Sequence, residues 1–178
     1  MAEPYGLANR IVSEISAKIF ENPKLLNYIY YTDKELKDVD LFTLETPDIH
    51  DLIDEYIFIG RRIPLLIKKV GAFLDIRVNR YQPRLNKKSS TVIKYVEVDI
   101  DVLCHTECQR TLRGTRDITI VTLLQETLEN ENLSGIAENI EITSVTELLG
   151  LDSNYSGYTV KLTVYGFNQG VYKDEINW

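Results

Sequence analysis

The residues best suited to chemistry in this chain lie in the pentapeptide Cys104-His105-Thr106-Glu107-Cys108. Thiolates and imidazoles bind zinc, but a structural zinc site usually has four ligands that arrive as two spaced pairs. The chain has one further histidine, His50, and no further cysteine. We therefore predict no metal site and interpret Cys104 as the inward-facing end of a strand. A disulfide between Cys104 and Cys108 is not expected in a reducing cytosol.

Three carboxylates alternate along one predicted strand, at Glu97, Asp99 and Asp101. Carboxylates can act as general acid and base, but no histidine, lysine pair or glycine turn converges on these three in the sequence. Alternating acids on one strand face are usually solvated. The chain also has no phosphate-binding glycine loop and offers no Ser-His-Asp set. We therefore expect that the protein is not an enzyme and has neither catalytic residues nor a cofactor.

The net charge of −7 is distributed in blocks along the 178 residues. Residues 1–60 contain 5 basic and 12 acidic residues, and residues 95–178 contain 5 basic and 14 acidic residues. Between them, residues 61–94 contain 10 basic residues and a single acid, Asp75. Such blocks govern encounter and orientation with charged partners more than they govern the fold. An alternative is that the basic block neutralises the acidic ones within one subunit.

The basic block has two functional interpretations. As a nucleic-acid surface it contacts phosphates, with Tyr81 available for stacking. As a protein contact it meets acidic surfaces, for example those of the next copy of the chain, and we favour this second interpretation. The candidate partner or inter-subunit contacts are Arg77, Arg80, Arg84, Lys87 and Lys88. The candidate channel-facing or inter-subunit acids are Glu97, Asp99 and Asp101. Cross-strand pairing within one sheet is a further way to absorb part of this charge.

The first 59 residues are predicted to be largely helical. Leu7, Ile11, Ile15 and Ile19 repeat every four residues, which is the spacing of one helix face. Asn22-Pro23 is predicted to end that helix and to start a second, with Asn22 as the cap and proline at the first position. Residues 32–46 are predicted to be a loop. Residues 49–57 fit another helical face, and residues 61–70 fit a strand or an arm lying on a neighbour.

The remainder is predicted to be a β-β-α-β-β core. Period-two alternation predicts strands from Ala72 to Val78, from Thr91 to Leu103, from Ile140 to Leu148 and from Tyr158 to Tyr165. Residues 82–90 and 104–116 are predicted to be polar connections. A helix is predicted over residues 116–130, with Ile118, Val121, Leu124 and Leu128 on its buried face. The fold class is therefore α+β, with a mainly antiparallel sheet of about four strands packed on helices. We divide the chain into a helical extension (1–59), a core (60–167) and a tail (168–178).

Residues 77–167 resemble the small virion proteins that join phage heads to tails, in particular the tail terminators of the neck. The resemblance rests on the long strand Val92-Ile93-Lys94-Tyr95-Val96-Glu97-Val98-Asp99-Ile100-Asp101-Val102, on the Arg-led helix Arg116-Asp117-Ile118-Thr119-Ile120-Val121, and on Leu133-Ser134-Gly135-Ile136 after it. The last strand opens with Tyr155-Ser156-Gly157-Tyr158 and ends with Val164-Tyr165-Gly166-Phe167. About half of the chain is covered by this pattern.

The resemblance implies a six-fold ring that caps the finished tail tube and binds the head connector. The implied partners are further copies of the chain, the tail tube protein, connector or adaptor proteins, and DNA that passes through the channel without sequence-specific binding. The implied location is the virion neck, assembled in the host cytoplasm. No apolar run approaches the roughly 18 residues of a membrane span. We expect no signal peptide, because the first residues, Met1-Ala2-Glu3-Pro4-Tyr5, lack its basic start and apolar centre. The alternative function is a nucleic-acid-binding module that uses residues 61–94.

Overall fold

The computed structural model describes residues 4–60, 69–85, 92–129, 131–133, 139–149 and 151–165, with the backbone alone at 4–7, 81–85 and 92–94. Two helices form the start of the chain, α1 (Pro4–Phe20) and α2 (Pro23–Tyr30). The junction between them is as predicted. Asn22 caps α2, because its side-chain oxygen accepts a hydrogen bond from the Leu25 amide and Pro23 occupies the first helical turn.

The segment after α2 is more regular than predicted. Two 3-10 helices, Lys34–Asp38 and Leu41–Thr43, occupy the predicted loop, and aspartates at positions 33 and 40 cap them. The helix predicted over residues 49–57 is a single turn, α3 (Ile49–Leu52). Asp54 then adopts a positive φ of 64°, which reverses the chain and lets strand β1 (Ile57–Ile59) join the sheet. Ile57, which we interpreted as the end of that helix, is therefore the first residue of a strand.

The sheet has five strands in the order β1-β2-β3-β7-β6. The long strands are β2 (Ala72–Leu85), β3 (Val92–His105), β6 (Asn139–Glu147) and β7 (Tyr155–Tyr165). All neighbouring pairs are antiparallel except β1 with β2, which is parallel. The predicted α+β class and the predominantly antiparallel sheet are confirmed, with β1 as a fifth strand that periodicity did not reveal.

The two predicted connections contain additional structure. Strand β2 continues to Leu85, so the first connection is shorter than the predicted 82–90. The second connection contains a 3-10 turn (Thr106–Cys108) and a ribbon of two short strands, β4 (Arg110–Thr111) and β5 (Gly114–Thr115). Helix α4 (Arg116–Leu128) follows directly. Its buried face includes Val121, Leu124 and Leu128 as predicted, whereas Ile118 is 52% exposed.

One hydrophobic core lies between the helices and one face of the sheet. Helices α1, α2 and α4 all contact the sheet, and their buried side chains form a single cluster with those of the strands. The apolar residues of α1 that belong to this cluster are Ile11, Val12, Ile15 and Ile19. The helical extension of residues 1–59 is thus packed on the same core as the sheet. The predicted tail, 168–178, lies outside the described residues.

Gly157 is required where β7 meets β3. A Cβ atom at this position would lie 2.2 Å from the carbonyl oxygen of Val102 on the neighbouring strand, far inside van der Waals contact. The glycine that stands in the Tyr155-Ser156-Gly157-Tyr158 motif therefore permits close approach of two central strands. No helix in the described part of the chain has the length and apolar character needed to cross a bilayer.

Candidate functional site

The predicted acidic and basic site residues meet within one subunit, on the sheet face opposite the helices. The β2–β3 register sets Asp75 opposite Asp101 and Arg77 opposite Asp99. Nη1 of Arg77 lies 2.7 Å from Asp75 Oδ2 and 2.5 Å from Asp101 Oδ2, and Nη2 lies 3.9 Å from Asp99 Oδ2. Thr159 on β7 donates a 2.6 Å hydrogen bond to Asp101 Oδ1. Three carboxylates thus surround one guanidinium.

This geometry corrects the expectation that alternating acids on this strand are solvated. Asp99 and Asp101 are 7% and 8% exposed, and both interact with Arg77 of the same chain. Burial lowers the pKa of Arg77, but the hydrogen bonds to Asp101 and Asp75 and the negative charge of both carboxylates together raise it above its usual value. The predicted cross-strand pairing is therefore confirmed for Arg77, because the antiparallel register places opposite charges on adjacent strands of one face. We assign none of these three residues to a neighbouring subunit.

The other predicted contacts lie towards the far end of the β2–β3 ribbon. Arg80 is exposed and stands opposite Glu97 in the register, beyond a bulge between Val78 and Arg80. Glu97 is half-buried. Arg84 lies in β2, at a position where the structure describes the backbone and not the side chain. Lys87 and Lys88 lie outside the described residues.

A second polar cluster, which sequence reasoning missed, lies at the start of α4. Arg116 is 1% exposed. Its Nε donates a 2.7 Å hydrogen bond to the carbonyl oxygen of Cys108, and its Nη1 donates a 2.5 Å hydrogen bond to the carbonyl oxygen of Tyr28. The guanidinium carbon also lies 5.7 Å from the centre of the Tyr28 ring. Arg116 thereby ties α2 to the turn that follows β3. Nothing in the local sequence distinguishes this arginine from an exposed one.

Asp117 extends the cluster towards β7. It is 4% exposed, and its Oδ2 accepts a 2.8 Å hydrogen bond from the Ser156 hydroxyl. Gln109 donates through Nε2 to the Ser156 oxygen at 2.5 Å and accepts from the Asp117 amide at 3.3 Å. Hydrogen bonds among Gln109, Asp117 and Ser156 thus join the second connection, α4 and the start of β7 to one another. This arrangement fixes the relative positions of these elements.

Both cysteines of the pentapeptide lie in the protein interior, whereas Thr106 and Glu107 are exposed. Cys104 is fully buried, as predicted for the inward face of β3, and Cys108 is 2% exposed. Burial raises the pKa of the Cys104 thiol well above its usual value and also raises that of Cys108. His105 Nδ1 accepts a hydrogen bond from the Glu107 amide, and its ring packs edge-on against Tyr155. Among the described residues, no group of three or more His, Cys, Asp or Glu side chains is arranged to hold a metal ion.

The two ends of the β2–β3 ribbon carry opposite charge. Residues 33–55 contain nine acidic and two basic residues, and Glu35, Asp38, Glu45 and Asp51 are exposed. An ion pair between Lys34 and Glu107 places this segment where β3 ends. At the opposite end, where β2 ends and β3 begins, residues 80–94 contain five basic residues and no acid. We call these regions the acidic end (33–55) and the basic end (80–94).

Ion pairs join the acidic end to the rest of the subunit, and one of them links Lys69 to Glu55. Arg113 donates to both carboxylate oxygens of Asp40, at 3.0 Å and 2.6 Å, and this contact lowers the pKa of Asp40. Lys34 likewise lowers the pKa of Glu107 by hydrogen bonding to it. Both pairs are on the surface, where such pairs contribute little to stability. These pairs hold the acidic end in a fixed orientation against the ribbon.

The model of the YomW family matches residues 22–164, which extend from the cap of α2 to the penultimate described residue of β7, and the family name is phage-derived. No curated protein matches the chain.

Proposed function

The chain belongs to the YomW family, and from this premise we propose that it is a structural virion protein of a tailed-phage neck. It forms a ring that terminates the tail tube and joins the tube to the head connector. A ring of identical subunits requires a heterologous contact, in which one patch meets a different patch on the next copy. A neck ring also meets a different partner at each of its two rims.

The opposite charge of the two ends of the subunit is the observation that carries this proposal. Strand β2 alone has 14 residues and spans about 45 Å at roughly 3.4 Å per residue, so the acidic and basic ends are well separated. Subunits arranged side by side around an axis parallel to this ribbon present an acidic rim and a basic rim. Such rims select different partners, since complementary charge favours one docking orientation and like charge opposes the other.

The test is genetic and uses a phage that encodes this chain. A stop codon early in the gene is expected to give DNA-filled heads and separate tails in lysates viewed by negative-stain electron microscopy. Supplying the wild-type chain from a plasmid should restore joined virions. Lysates of the stop mutant that contain joined, infectious virions would refute the neck role.

Nucleic-acid binding remains a second candidate because of the basic end. The five basic residues between positions 80 and 94 have no acid among them, and Arg80 is exposed. If this surface binds DNA, the wild-type chain should shift the electrophoretic mobility of duplex DNA, and the shift should weaken as salt rises, because each phosphate contact contributes to the salt dependence. Changing Arg84, Lys87 and Lys88 together to alanine should abolish that shift. Unchanged virion joining in the same triple variant would favour DNA binding over a rim contact.

A further inference from the structure

Two strand edges of the sheet are open among the described residues, and they differ in charge. Strand β6 is the last strand in the order, so its outer edge has no described neighbour over nine residues. At the other side of the sheet, the described residues of β1 pair with β2 opposite Leu74, Asp75 and Ile76. The outer edge of β2 from Arg77 to Leu85, also nine residues, lies beyond β1. The β6 edge carries Glu141 and Glu147 and no basic residue, and the β2 edge carries Arg80 and Arg84 beyond the internally paired Arg77 and no acid.

Unpaired strand edges are templates for another strand, and soluble proteins commonly protect them with lysine or proline. Strand β6 contains neither residue. The β2 edge contains Pro83, which cannot donate a ladder hydrogen bond, so pairing is expected before it, over residues 78–82. Pairing of β6 with β6 of a second copy would bring the acids of both copies, Glu141 and Glu147, to one joint. Like charges directly opposite one another destabilise a strand pair. The acidic edge therefore suits a basic edge and opposes self-pairing.

We infer that β6 of one copy pairs in an antiparallel manner with the β2 edge at residues 78–82 of the next copy, so that the sheet continues from subunit to subunit around the ring. The inference rests on the proposed ring and names its interface. Strand directions agree with it, because β2 and β6 run in opposite directions within one sheet. Side-by-side copies in the same orientation therefore present an antiparallel pair of edges to each other.

A single register continues the apolar face of the sheet through this joint. It sets Val145 opposite Val78 and Ser144 opposite Arg80, and it places Glu141 diagonally between Arg80 and Arg84. Both strands have a bulge at the corresponding point, between Ile142 and Ser144 in β6 and between Val78 and Arg80 in β2. The extra residues of the two bulges, Asn79 in β2 and Thr143 in β6, therefore lie beside each other in the proposed strand pair.

Side chains at the joint also complement each other. Val145 is 37% exposed, although it lies on the apolar face and pairs with Val160 of β7. Beside the β2 edge, an open cleft of about 340 Å³ between α1 and β1 is lined by Val12, Ile59 and Val78, among others. In the register described above, Val145 of one copy reaches this cleft of the next copy. Burial of that valine contributes to association at roughly 25 cal/mol per Å² of apolar surface removed from water.

Cysteine cross-linking tests the interface directly. Directly opposite residues of an antiparallel pair have Cα atoms about 4.5–5.5 Å apart, within the range of a disulfide. The R80C and S144C variants, mixed and oxidised, are expected to give a disulfide-linked dimer on a non-reducing gel, and neither variant alone should give one. The native thiols, Cys104 and Cys108, are buried and should stay unreactive. As a control, T122C on the exposed side of α4 should not cross-link with R80C.

Charge reversal provides an independent measurement by mass photometry at low salt. Glu141→Arg is expected to raise the concentration needed for half-maximal assembly by about tenfold, because like charges then oppose each other across the joint. Combining Glu141→Arg with Arg80→Glu in one chain should recover assembly. Glu129→Arg, an exposed change on the turn after α4, is the matched control and should leave assembly unchanged.

The outcomes separate this interface from the proposed neck role. Absence of the mixed R80C–S144C dimer overturns the interface, whether or not rings are seen by electron microscopy. A dimer of S144C with itself overturns it in favour of self-pairing of β6. If the mixed dimer forms but the stop mutant still yields joined virions, the interface stands and the neck role fails.

Discussion

At the scale of single residues, Arg116 shows how a buried charge can organise this protein. Two main-chain carbonyl oxygens, those of Cys108 and Tyr28, accept its hydrogen bonds, and the Tyr28 ring lies beside the guanidinium. Carbonyl groups at the end of a helix and in a tight turn need hydrogen-bond donors when they are buried. A single side chain supplies them to two distant parts of the chain.

Replacement of Arg116 should destabilise the folded protein. Arg116→Met keeps much of the apolar stem and leaves both carbonyl groups without their charged donor, so the free energy of unfolding should fall by about 3 kcal/mol. Urea denaturation followed by circular dichroism measures the change. Arg113→Met removes an exposed arginine three residues away and should have a much smaller effect. Equal effects of the two substitutions would contradict the role assigned to Arg116.

The buried thiols predict how stability depends on alkaline pH. Burial raises the pKa of Cys104 well above the value of 9.0 that applies to the unfolded chain. Stability is therefore fully present below pH 9 and declines above it, since only the unfolded state loses the proton, with a limiting slope of about 1.4 kcal/mol per pH unit for each such thiol. Cys104→Ala should show a shallower decline between pH 9 and pH 10.5 in urea titrations. An unchanged slope would contradict this account.

At the scale of elements, the junction of α1 and α2 combines a local signal with a distant contact. Asn22 caps α2 through its side-chain oxygen, and its amide nitrogen donates a 2.7 Å hydrogen bond to Thr127 Oγ1 on α4. The cap was predicted from the pair Asn22-Pro23. The bond to α4 was not predicted, because the two residues are 105 positions apart in the chain. One asparagine thus starts a helix and attaches it to another.

Two substitutions at this position separate the two roles. Asn22→Ala removes both interactions and should lower the free energy of unfolding by about 2 kcal/mol, the sum of a lost cap and a lost hydrogen bond. Asn22→Asp keeps the capping oxygen but lacks the amide donor, and should lower it by about 1 kcal/mol. Thermal and urea unfolding measure both. If the aspartate variant is as unstable as the alanine variant, the cap makes no measurable contribution.

At the scale of the whole molecule, the N-terminal helix belongs to the common core even though the family match begins at residue 22. Ile15 is fully buried in the cluster shared by helices and sheet. Ile15→Ala should therefore lower the free energy of unfolding by about 2–5 kcal/mol through lost burial and a cavity. Ser13→Ala, an exposed change on the same helix, should stay within about 0.5 kcal/mol of the wild type.

A truncated chain tests the same point more severely. A variant that begins at residue 22 exposes the faces of α2, α4 and β2 that pack on α1, so it should lose cooperative thermal unfolding by circular dichroism. A truncated chain that unfolds cooperatively at the wild-type temperature would show that α1 is an appendage to an independent core.

The sequence by itself determined what depends on residues close together in the chain. Period-two alternation located the four long strands, four-residue periodicity located α1, and the pair Asn22-Pro23 located the start of α2, since each signal acts over a few residues. The sequence analysis missed the short strand β1, because Ile57-Phe58-Ile59 is too short to show a period and pairing with β2 makes it a strand. The tertiary structure also decided which charges are internal. Asp99, Asp101 and Arg77 form one cluster because the β2–β3 register aligns them, and Arg116 is buried because α2 and the turn after β3 meet over it.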